Sequence, residues 1–388
     1  MKKKKQNRVW LWVLLFVPVT GLIVMTGNEQ ARAQTTRVPV LPAIPYSYTD
    51  DLLPRYYTQG PVADTDNMPA NNPVTDAGAA LGRVLFYDVN LSVNNTISCS
   101  SCHVQAFGFA DPDALSTGLD GGLTGRNSMS LANARYYDGG AFFWDHRADT
   151  LEVQVLMPIQ DEVEMGMDLG DLEAKLADLG YYDELFTDAF GTDEITSNRI
   201  SLALAQFVRA MVSYRSPFDE GVELNFSTFS ALEEQGRQLF NGRGRCDNCH
   251  ETNAHILDQP RNIGLDATTT DLGLAAHTGN VNDEGKFKVP SLRNIEVTAP
   301  YMHDGRFATL EDVIEFYDRQ IQPHPNLDPI LENANGQPRR FNFTGQEKDA
   351  LLAYLRTLTD TDFLMDERFS DPFVSSPSFQ MFLPFMVR

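Results

Sequence analysis

Cysteine and histidine recur at two identical spacings in this chain of 388 residues. The two motifs, which contain all four cysteines, are Cys99-Ser-Ser-Cys102-His103 and Cys246-Asp-Asn-Cys249-His250. C-x-x-C-H is the pattern that attaches a c-type haem, because its two thiols bind the vinyl groups and the adjacent imidazole ligates the iron. The sequence therefore predicts two covalently bound c-type haems, with His103 and His250 as iron ligands.

The same cysteines have three other interpretations. An even number of cysteines in an exported chain ordinarily suggests disulfides. A thioredoxin-type C-x-x-C pair needs a βαβ context, which this chain lacks, and a Cys/Cys/His zinc site needs further ligands at suitable spacing. Two identical motifs that use every cysteine favour haem over all three.

The amino terminus has the three-part layout of a secretory signal peptide. Basic residues at 2–5 and at 8 precede an apolar run over 9–25, and Ala31-Arg-Ala33 is a small-x-small pattern ahead of Gln34. We expect cleavage after Ala33 and export to the periplasm. The alternative is an uncleaved membrane anchor, since about 17 apolar residues can just span a bilayer.

The chain is strongly acidic, with 53 Asp and Glu against 31 Lys and Arg and a formal net charge of −22. Residues 1–33 carry six basic side chains and one acidic side chain, so their removal changes the charge to −27. Nucleic acid is excluded as a partner, because its binding depends on Lys and Arg contacts to phosphate. A basic partner protein would be attracted.

The chain also contains an internal duplication, which should be sought early in any sequence. Gly82-Arg-Val-Leu-Phe86 precedes the first haem motif and Gly236-Arg-Gln-Leu-Phe240 precedes the second, each late in a helical pattern (74–86 and 229–240). Downstream, four residues recur 159 positions later in the same order. Asp145, Thr150, Leu151 and Glu152 correspond to Asp304, Thr309, Leu310 and Glu311.

Amphipathic patterns over 200–214 and 346–358 predict a closing helix for each half. Helix, haem motif, loop and closing helix resemble the cytochrome c fold. The predicted fold class is mainly α, with two cytochrome c-like domains in tandem, each with one covalent c-type haem. The predicted segments are a signal peptide (1–33), an extended N-terminal arm (34–70), a first domain (71–216), a second domain (217–360) and a C-terminal tail (361–388).

The offset of 159 pairs Pro158 with Tyr317, and Trp144 with His303. A tyrosine phenolate can ligate haem iron, whereas proline has no donor atom. We therefore predict that the iron of the first haem is open on its distal side, at Pro158. The iron of the second haem is predicted to be closed by Tyr317 as its distal ligand. The alternative for Tyr317 is a packed helix residue.

Polar side chains near Pro158 could handle a proton. A peroxidase needs a base that takes a proton from hydrogen peroxide and returns it to the leaving oxygen, and Glu164 is a candidate, with Gln154 nearby. A carboxyl group in a haem pocket has a raised pKa because burial disfavours its charge. The alternative for Glu164 is a solvated surface position.

Over nearly all of residues 70–360 the chain resembles the bacterial di-haem cytochrome c peroxidase family. The stretches that carry the resemblance are Ile97-Ser-Cys-Ser-Ser-Cys-His103, Arg126-Asn-Ser128, Phe143-Trp-Asp145, Lys288-Val-Pro-Ser-Leu-Arg-Asn294 and Ala299-Pro-Tyr-Met-His-Asp-Gly305. The resemblance implies a peroxidatic first haem with Gln154 and Glu164 on its distal side, an electron-receiving second haem, and Trp144 as the relay between them. The calcium ligands that it implies are Asn127, Thr298 and Pro300.

Two departures refine the resemblance. Family members that need prior reduction carry a distal histidine where this chain has Leu119, so its first haem is similar to one that is always open. Scavenging members ligate the second haem with a methionine where this chain has Tyr317, and tyrosine there is typical of the MauG-like branch. The resemblance places His303 beside the second haem rather than on its iron, and Met302 is a further candidate ligand.

The resemblance implies an enzyme, a haem peroxidase that reduces hydrogen peroxide with electrons from a small cytochrome c or another basic donor. A first alternative is a MauG-like enzyme that oxidises Trp or Tyr residues of an exported partner protein. A second is a non-catalytic di-haem electron carrier, which would need both irons six-coordinate; Leu119 and Pro158 argue against it. Both a monomer and a homodimer are compatible with the sequence.

Overall fold

The computed structural model describes residues 37–49, 53–137 and 141–373. The predicted signal peptide (1–33) and residues 374–388 of the predicted tail lie outside this part. The described chain is mostly helical with little strand, which confirms the mainly α prediction. Within it, no helix has the length and apolar character needed to cross a bilayer.

The helices follow one another along both halves of the chain. They are α1 (Arg55–Thr58), α2 (Asp76–Tyr87), α3 (Cys99–Cys102), α4 (Leu151–Gln154), α5 (Met157–Gln160), α6 (Leu169–Ala177), α7 (Tyr182–Phe190), α8 (Ser197–Ala210), α9 (Pro217–Glu223), α10 (Ala231–Phe240), α11 (Ala275–Thr278), α12 (Leu310–Glu315), α13 (Gly345–Arg356) and α14 (Thr361–Met365). A short antiparallel sheet pairs β1 (Leu257–Arg261) with β2 (Phe287–Val289).

Each half is built on a pair of packed helices, α2 with α8 and α10 with α13. A hydroxyl residue caps the start of each of these four helices. Its side-chain oxygen accepts a hydrogen bond from the backbone N–H of the residue three positions later. The four caps are Thr75, Thr196, Ser230 and Thr344. Where the helices meet, a Cβ atom on Gly82 would lie 2.0 Å from the carbonyl oxygen of Ala203, and one on Gly236 would lie 1.9 Å from that of Ala350. The repeated glycine therefore marks a repeated helix contact.

The loops after the haem motifs repeat as well. Asn133 and Asn294 both have left-handed backbone, with φ of 60° and 63°, a conformation in which asparagine is enriched. Each precedes one turn of 3₁₀ helix. Antiparallel bridges that recur at the offset of 159 are Phe142–Ala148 and Tyr301–Phe307. The duplication inferred from the sequence thus extends to the backbone of the loops.

Two large hydrophobic cores form, one around α2 and α8 and the other around α12 and α13. Residues 361–373, from the range predicted as a tail, pack on the first core. The rings of Phe363 and Phe369 lie 5.6 and 6.4 Å from that of Phe109, between centroids. The end of the described chain therefore returns to the loop that follows the first haem motif.

Helix α8 ends four residues before the predicted end at Tyr214. The backbone N–H of Ser213 donates to Oδ1 of Asn133 at 2.6 Å. Those of Tyr214 and Arg215 both donate to Oδ2 of Asp360, at 2.9 Å each. The prediction was wrong here because side chains distant in sequence, rather than a further helical turn, satisfy these N–H groups.

Candidate functional site

The first cysteine motif forms a single helical turn, α3, which begins with reciprocal hydrogen bonds between Ser98 and Ser101. Burial raises the pKa of Cys99 to about 12 and that of Cys102 to about 11, so both sulfurs are neutral thiols. The structure describes all four cysteines and none of them forms a disulfide, so the disulfide alternative finds no support.

His103 follows this turn and is oriented as an iron ligand would be. Its Nδ1 donates to the carbonyl oxygen of Phe109 at 2.8 Å, which leaves the lone pair on Nε2. Burial lowers the pKa of His103, so the ring is neutral. Metal-ligating histidines commonly donate their other N–H to a carbonyl in this way. The residues present therefore fit a covalent haem ligated by His103.

Glu164 lies on a tight turn that leaves α5. Asp161 shapes this turn, because its Oδ1 accepts hydrogen bonds from the backbone N–H groups of Val163 at 2.8 Å and of Glu164 at 3.2 Å. The backbone N–H of Asp161 itself donates to the carbonyl oxygen of Met157 in α5, at 3.0 Å. Pro158 and Glu164 are thus carried by one continuous, internally hydrogen-bonded unit.

The electrostatics of Glu164 suit proton transfer near neutral pH. Burial raises the pKa of its carboxyl group to about 6; the charge of Asp161 adds to this rise and that of Arg147 opposes it. Burial is the main cause of the raised pKa of Cys99 and of Cys102, and the charge of Glu164 is a smaller cause. The carboxyl group therefore lies within electrostatic range of the thiols that would attach the first haem.

Gln154 and Pro158 are both half-buried beside this turn, at the end of α4 and in the first turn of α5. The side-chain amide of Gln154 has no hydrogen-bond partner among the residues that the structure describes, so it can bind a ligand. Pro158 presents no donor atom toward its surroundings. Neither side chain could close an iron site as tyrosine, methionine or histidine does.

Leu119 contacts the same segment. Its backbone N–H donates to the carbonyl oxygens of Val163 at 2.7 Å and of Glu164 at 3.1 Å. Gly118 permits this approach, because a Cβ atom there would lie 2.2 Å from the Val163 oxygen. Leu119 is therefore adjacent to Glu164, and it places an aliphatic side chain there.

The second cysteine motif opens into a cavity that Tyr317 shares. Cys246, Cys249, His250 and Tyr317 all line it. Apolar residues that complete its wall are Leu292, Ile295, Leu310, Val313, Ile314 and Leu351. Burial lowers the pKa of His250 to about 4, so the imidazole is neutral. The Nδ1 atom of His250 is buried and has no hydrogen-bond partner in the described part of the chain. Two thiols, a neutral imidazole and a phenol in an apolar cavity fit a second covalent haem.

Tyr317 is placed by one turn of π-helix, Phe316–Gln320, which follows α12. Such turns occur frequently at functional sites. Asp318 anchors the turn: its Oδ1 accepts from the backbone N–H of Phe343 at 2.8 Å, and its Oδ2 pairs with Nζ of Lys348 at 2.7 Å. Met302 lines the same cavity, so the structure leaves it as the alternative ligand.

Trp144 borders the second cavity and lies at the junction of the two halves. Its Nε1–H donates to the carbonyl oxygen of Asn127 at 2.8 Å. Its ring meets that of His303 edge-on at 6.4 Å between centroids, and His303 stacks on Phe287 at 3.8 Å. Residues that correspond across the duplication therefore touch each other where the halves meet.

Arg126 joins the two halves beside this contact. It donates to both carboxylate oxygens of Asp271, at 2.7 and 2.8 Å, and pairs with Asp145 at 2.6 Å. Burial alone would raise the pKa of either carboxyl group, but the guanidinium holds both below their usual range. The sequence showed Arg126 only as part of a motif, and no local signal indicated its two partners.

The residues predicted to bind calcium lie close to the same junction. The backbone N–H of Asn127 donates to the carbonyl oxygen of His303 at 2.8 Å, and its Nδ2 donates to that of Asp113 at 3.1 Å. The side-chain oxygen of Asn127 accepts no hydrogen bond from the described residues. Thr298 and Pro300 lie on the loop that leads to His303. Amide, hydroxyl and carbonyl oxygens are ligands that Ca²⁺ prefers, so these residues fit the ion.

Comparisons with known proteins agree on one family. A family model described as di-haem cytochrome c peroxidase matches residues 76–225. Methylamine utilization protein MauG of Methylorubrum extorquens is 35% identical over 295 residues, 75% of this chain and 80% of that protein. Cytochrome c551 peroxidase of Nitrosomonas europaea is 34% identical over 305 residues, 75% of this chain and 85% of that protein.

A solved structure extends the agreement to the fold. The crystal structure of a MauG-like protein associated with microbial copper homeostasis matches with a TM-score of 0.73 and 33% identity, over 83% of this chain and 99% of that one. The match confirms the predicted fold class, and the relatives confirm that the chain is an enzyme of the haem peroxidase class with two c-type haems. The chain belongs to the di-haem cytochrome c peroxidase family, which includes the MauG proteins.

Proposed function

We propose that this protein is an exported di-haem peroxidase, which reduces hydrogen peroxide at an open first haem and shares oxidising equivalents with a second haem ligated by Tyr317. The observation that carries the proposal is the presence of Tyr317 in one cavity with His250 and both cysteines of the second motif. The signal-peptide pattern supports export to the periplasm. We also propose that Asn127, Thr298 and Pro300 bind a calcium ion.

The chain's own residues divide the work at the first site. Haem, when bound there, supplies an iron that accepts a peroxide oxygen and carries redox equivalents. Glu164 has a pKa near 6, so it can take a proton from peroxide and return it to the leaving oxygen. Gln154 can donate a hydrogen bond from its free amide, while the side chains of Pro158 and Leu119 offer the iron no ligating atom.

Changing Tyr317 to Met tests the proposed ligand. We expect the reduction potential of the second haem to rise by roughly 0.1 V or more, because axial ligands set haem potentials over a wide range and phenolate favours the oxidised state. Spectroelectrochemical titration measures the change. Met302→Leu is the matched control, because Met302 lines the same cavity, and it should leave the potential in place. A shift in the control and none in Tyr317→Met would assign the ligand to Met302.

Changing Trp144 to Phe tests the relay. The indole would be lost while an aromatic ring remains against His303, so we expect slower electron exchange between the haems with each haem's own visible spectrum preserved. Stopped-flow spectroscopy after mixing with peroxide resolves the exchange. An unchanged exchange rate would remove Trp144 from the path.

A second candidate function is the oxidation of Trp or Tyr residues in an exported partner protein. Tyr317 favours it, since tyrosine at this position is typical of the MauG-like branch. Steady turnover of peroxide with a reduced small cytochrome c as electron donor would instead support peroxide scavenging. The acidic chain would attract a basic donor of this kind. Family membership argues against the non-catalytic carrier.

A further inference from the structure

A cluster of tyrosines adjoins the second cavity on a side that the proposed reaction does not use. The ring centroids of Tyr56 and Tyr57 lie 4.9 Å apart, and those of Tyr57 and Tyr136 lie 4.8 Å apart. Next to Tyr136 in the chain, the hydroxyl of Tyr137 accepts a hydrogen bond from the backbone N–H of Ser291 at 2.7 Å. Tyr57, Tyr136 and Tyr137 belong to one buried cluster, and both chain neighbours of Ser291 line the second cavity. A row of tyrosines therefore connects the cavity wall with Tyr56.

Tyr56 is the outermost member of this row. It is half-buried, whereas Tyr57 is only 2% exposed. Its hydroxyl donates a hydrogen bond to a carboxylate oxygen of Asp219. Asp219 is 4% exposed and also accepts hydrogen bonds from Arg293, at 2.7 Å to each oxygen, and from Ser216. A phenol that donates to a carboxylate can transfer its proton to that carboxylate when an electron leaves.

The protonation state of Asp219 fits this role. Burial acts to raise its pKa, but the Arg293 guanidinium and the hydrogen bonds around it hold the pKa below its usual range, so Asp219 is a carboxylate rather than a carboxylic acid. The hydroxyl of Tyr57 instead donates to the carbonyl oxygen of Ser213 at 3.1 Å, and a peptide carbonyl is a far weaker base. An oxidised tyrosine in this row is therefore stabilised at Tyr56 rather than at Tyr57.

We propose that Tyr56 is a redox-active tyrosine. One electron passes from its phenol along the row of rings and reduces the peroxide-oxidised second haem by one equivalent. The phenol proton moves to the carboxylate of Asp219, which leaves a neutral tyrosyl radical and a carboxylic acid. A one-electron donor that reaches Tyr56 restores the phenol when the proton returns. The inference rests on the proposed peroxidase function, because that reaction supplies the oxidant.

A second tyrosine pair in the chain provides a matched comparison. The rings of Tyr181 and Tyr182 lie 4.6 Å apart, and both hydroxyls donate to Asp88, at 2.6 and 2.7 Å. Their further ring neighbours are Phe186 and Phe373, which have no ionisable proton and are hard to oxidise. The local chemistry resembles that of Tyr56, but among the described residues no row of tyrosines leads from this pair to the second cavity.

The test uses the haem-loaded protein mixed with hydrogen peroxide and frozen for electron paramagnetic resonance. We expect a tyrosyl radical in the wild type, its loss in Tyr56→Phe, and its retention in Tyr181→Phe, although the chain has 13 tyrosines. Peptide mapping after reaction with a nitroso spin trap should place the adduct on Tyr56. A radical of undiminished intensity in Tyr56→Phe, or an adduct on Tyr181 or Tyr182 alone, would overturn the proposal.

Two further measurements separate possible causes of failure. The visible spectrum of the same samples shows whether peroxide oxidises the haems. Haem oxidation without a tyrosyl radical contradicts the redox role of Tyr56 only, whereas no haem oxidation contradicts the proposed peroxidase function as well. Asp219→Asn tests the proton acceptor, and we expect loss of the radical. Since that variant disturbs a buried ion pair, the conclusion rests on Tyr56→Phe if it does not fold.

Discussion

Replacing Glu164 with Gln lowers the rate of the peroxide-dependent step by about 10²–10⁴-fold, the usual contribution of a positioned general acid–base group. Glutamine has nearly the shape of glutamate, and the turn around Asp161 depends on backbone N–H groups rather than on the Glu164 side chain. The local fold should therefore persist while the proton acceptor is lost. Stopped-flow absorbance after mixing with peroxide measures the rate.

The dependence of this rate on pH has a defined direction. Burial raises the pKa of Glu164 to about 6, so the group is a protonated acid below that pH and a carboxylate above it. Only the carboxylate can take a proton from peroxide, so we expect the wild-type rate to rise with pH through about 6 and then to level off. In Glu164→Gln this rise should be absent.

Glu162→Gln is the matched control, because Glu162 is an exposed acid two residues before Glu164 on the same turn. It removes one negative charge from the surface and should leave both the rate and the pH profile in place. Equal losses in both variants would mean that the charge of the turn matters rather than proton transfer by Glu164. Full activity of Glu164→Gln would exclude it as the base.

The features that the sequence predicted well are those whose chemistry is local or repeated. Covalent attachment needs two thiols and an imidazole within five residues, so the motifs that end at His103 and His250 indicate haem without any knowledge of the fold. The repeat of Gly82 as Gly236, together with the two patterns for closing helices, predicted an equivalent pair of helices in each half. The ligand role of Tyr317 stays a prediction, and this residue was singled out because the duplication aligned it with Pro158, a residue type of opposite ligating ability.

The features that escaped prediction depend on contacts between distant parts of the chain. Tyr56 and Asp219 are 163 residues apart, and neither has a neighbour in sequence that indicates the other. Arg126 likewise gains its roles only when the second half brings Asp271 beside it. The early end of α8 has the same origin, because Asp360 satisfies backbone groups that a helix would otherwise have used. A single sequence contains the periodicity of helices but not these long-range pairings.

Replacing Gly236 with Ala destabilises the protein by about 3 kcal/mol or more, the upper range for forcing extra volume into a packed interior. The added Cβ would lie 1.9 Å from the carbonyl oxygen of Ala350 and 2.7 Å from Cβ of Tyr354. Both neighbours belong to α13, and a backbone carbonyl cannot rotate away as a side chain can. The two helices must separate, which loosens the second core beside the haem cavity.

The expected loss of stability is opposite in sign to the usual effect, because replacing glycine with alanine inside a helix normally stabilises the helix by about 1 kcal/mol. Gly345→Ala, in the first turn of α13, is the matched control: a Cβ there meets nothing within 4 Å, so it should be neutral or stabilising. Urea midpoints followed by far-ultraviolet circular dichroism compare the variants. Gly82→Ala should repeat the loss in the first half, since its Cβ would lie 2.0 Å from the Ala203 oxygen. A stabilised Gly236→Ala would show that α10 and α13 do not touch along their backbones, and the repeated glycine would then need another explanation.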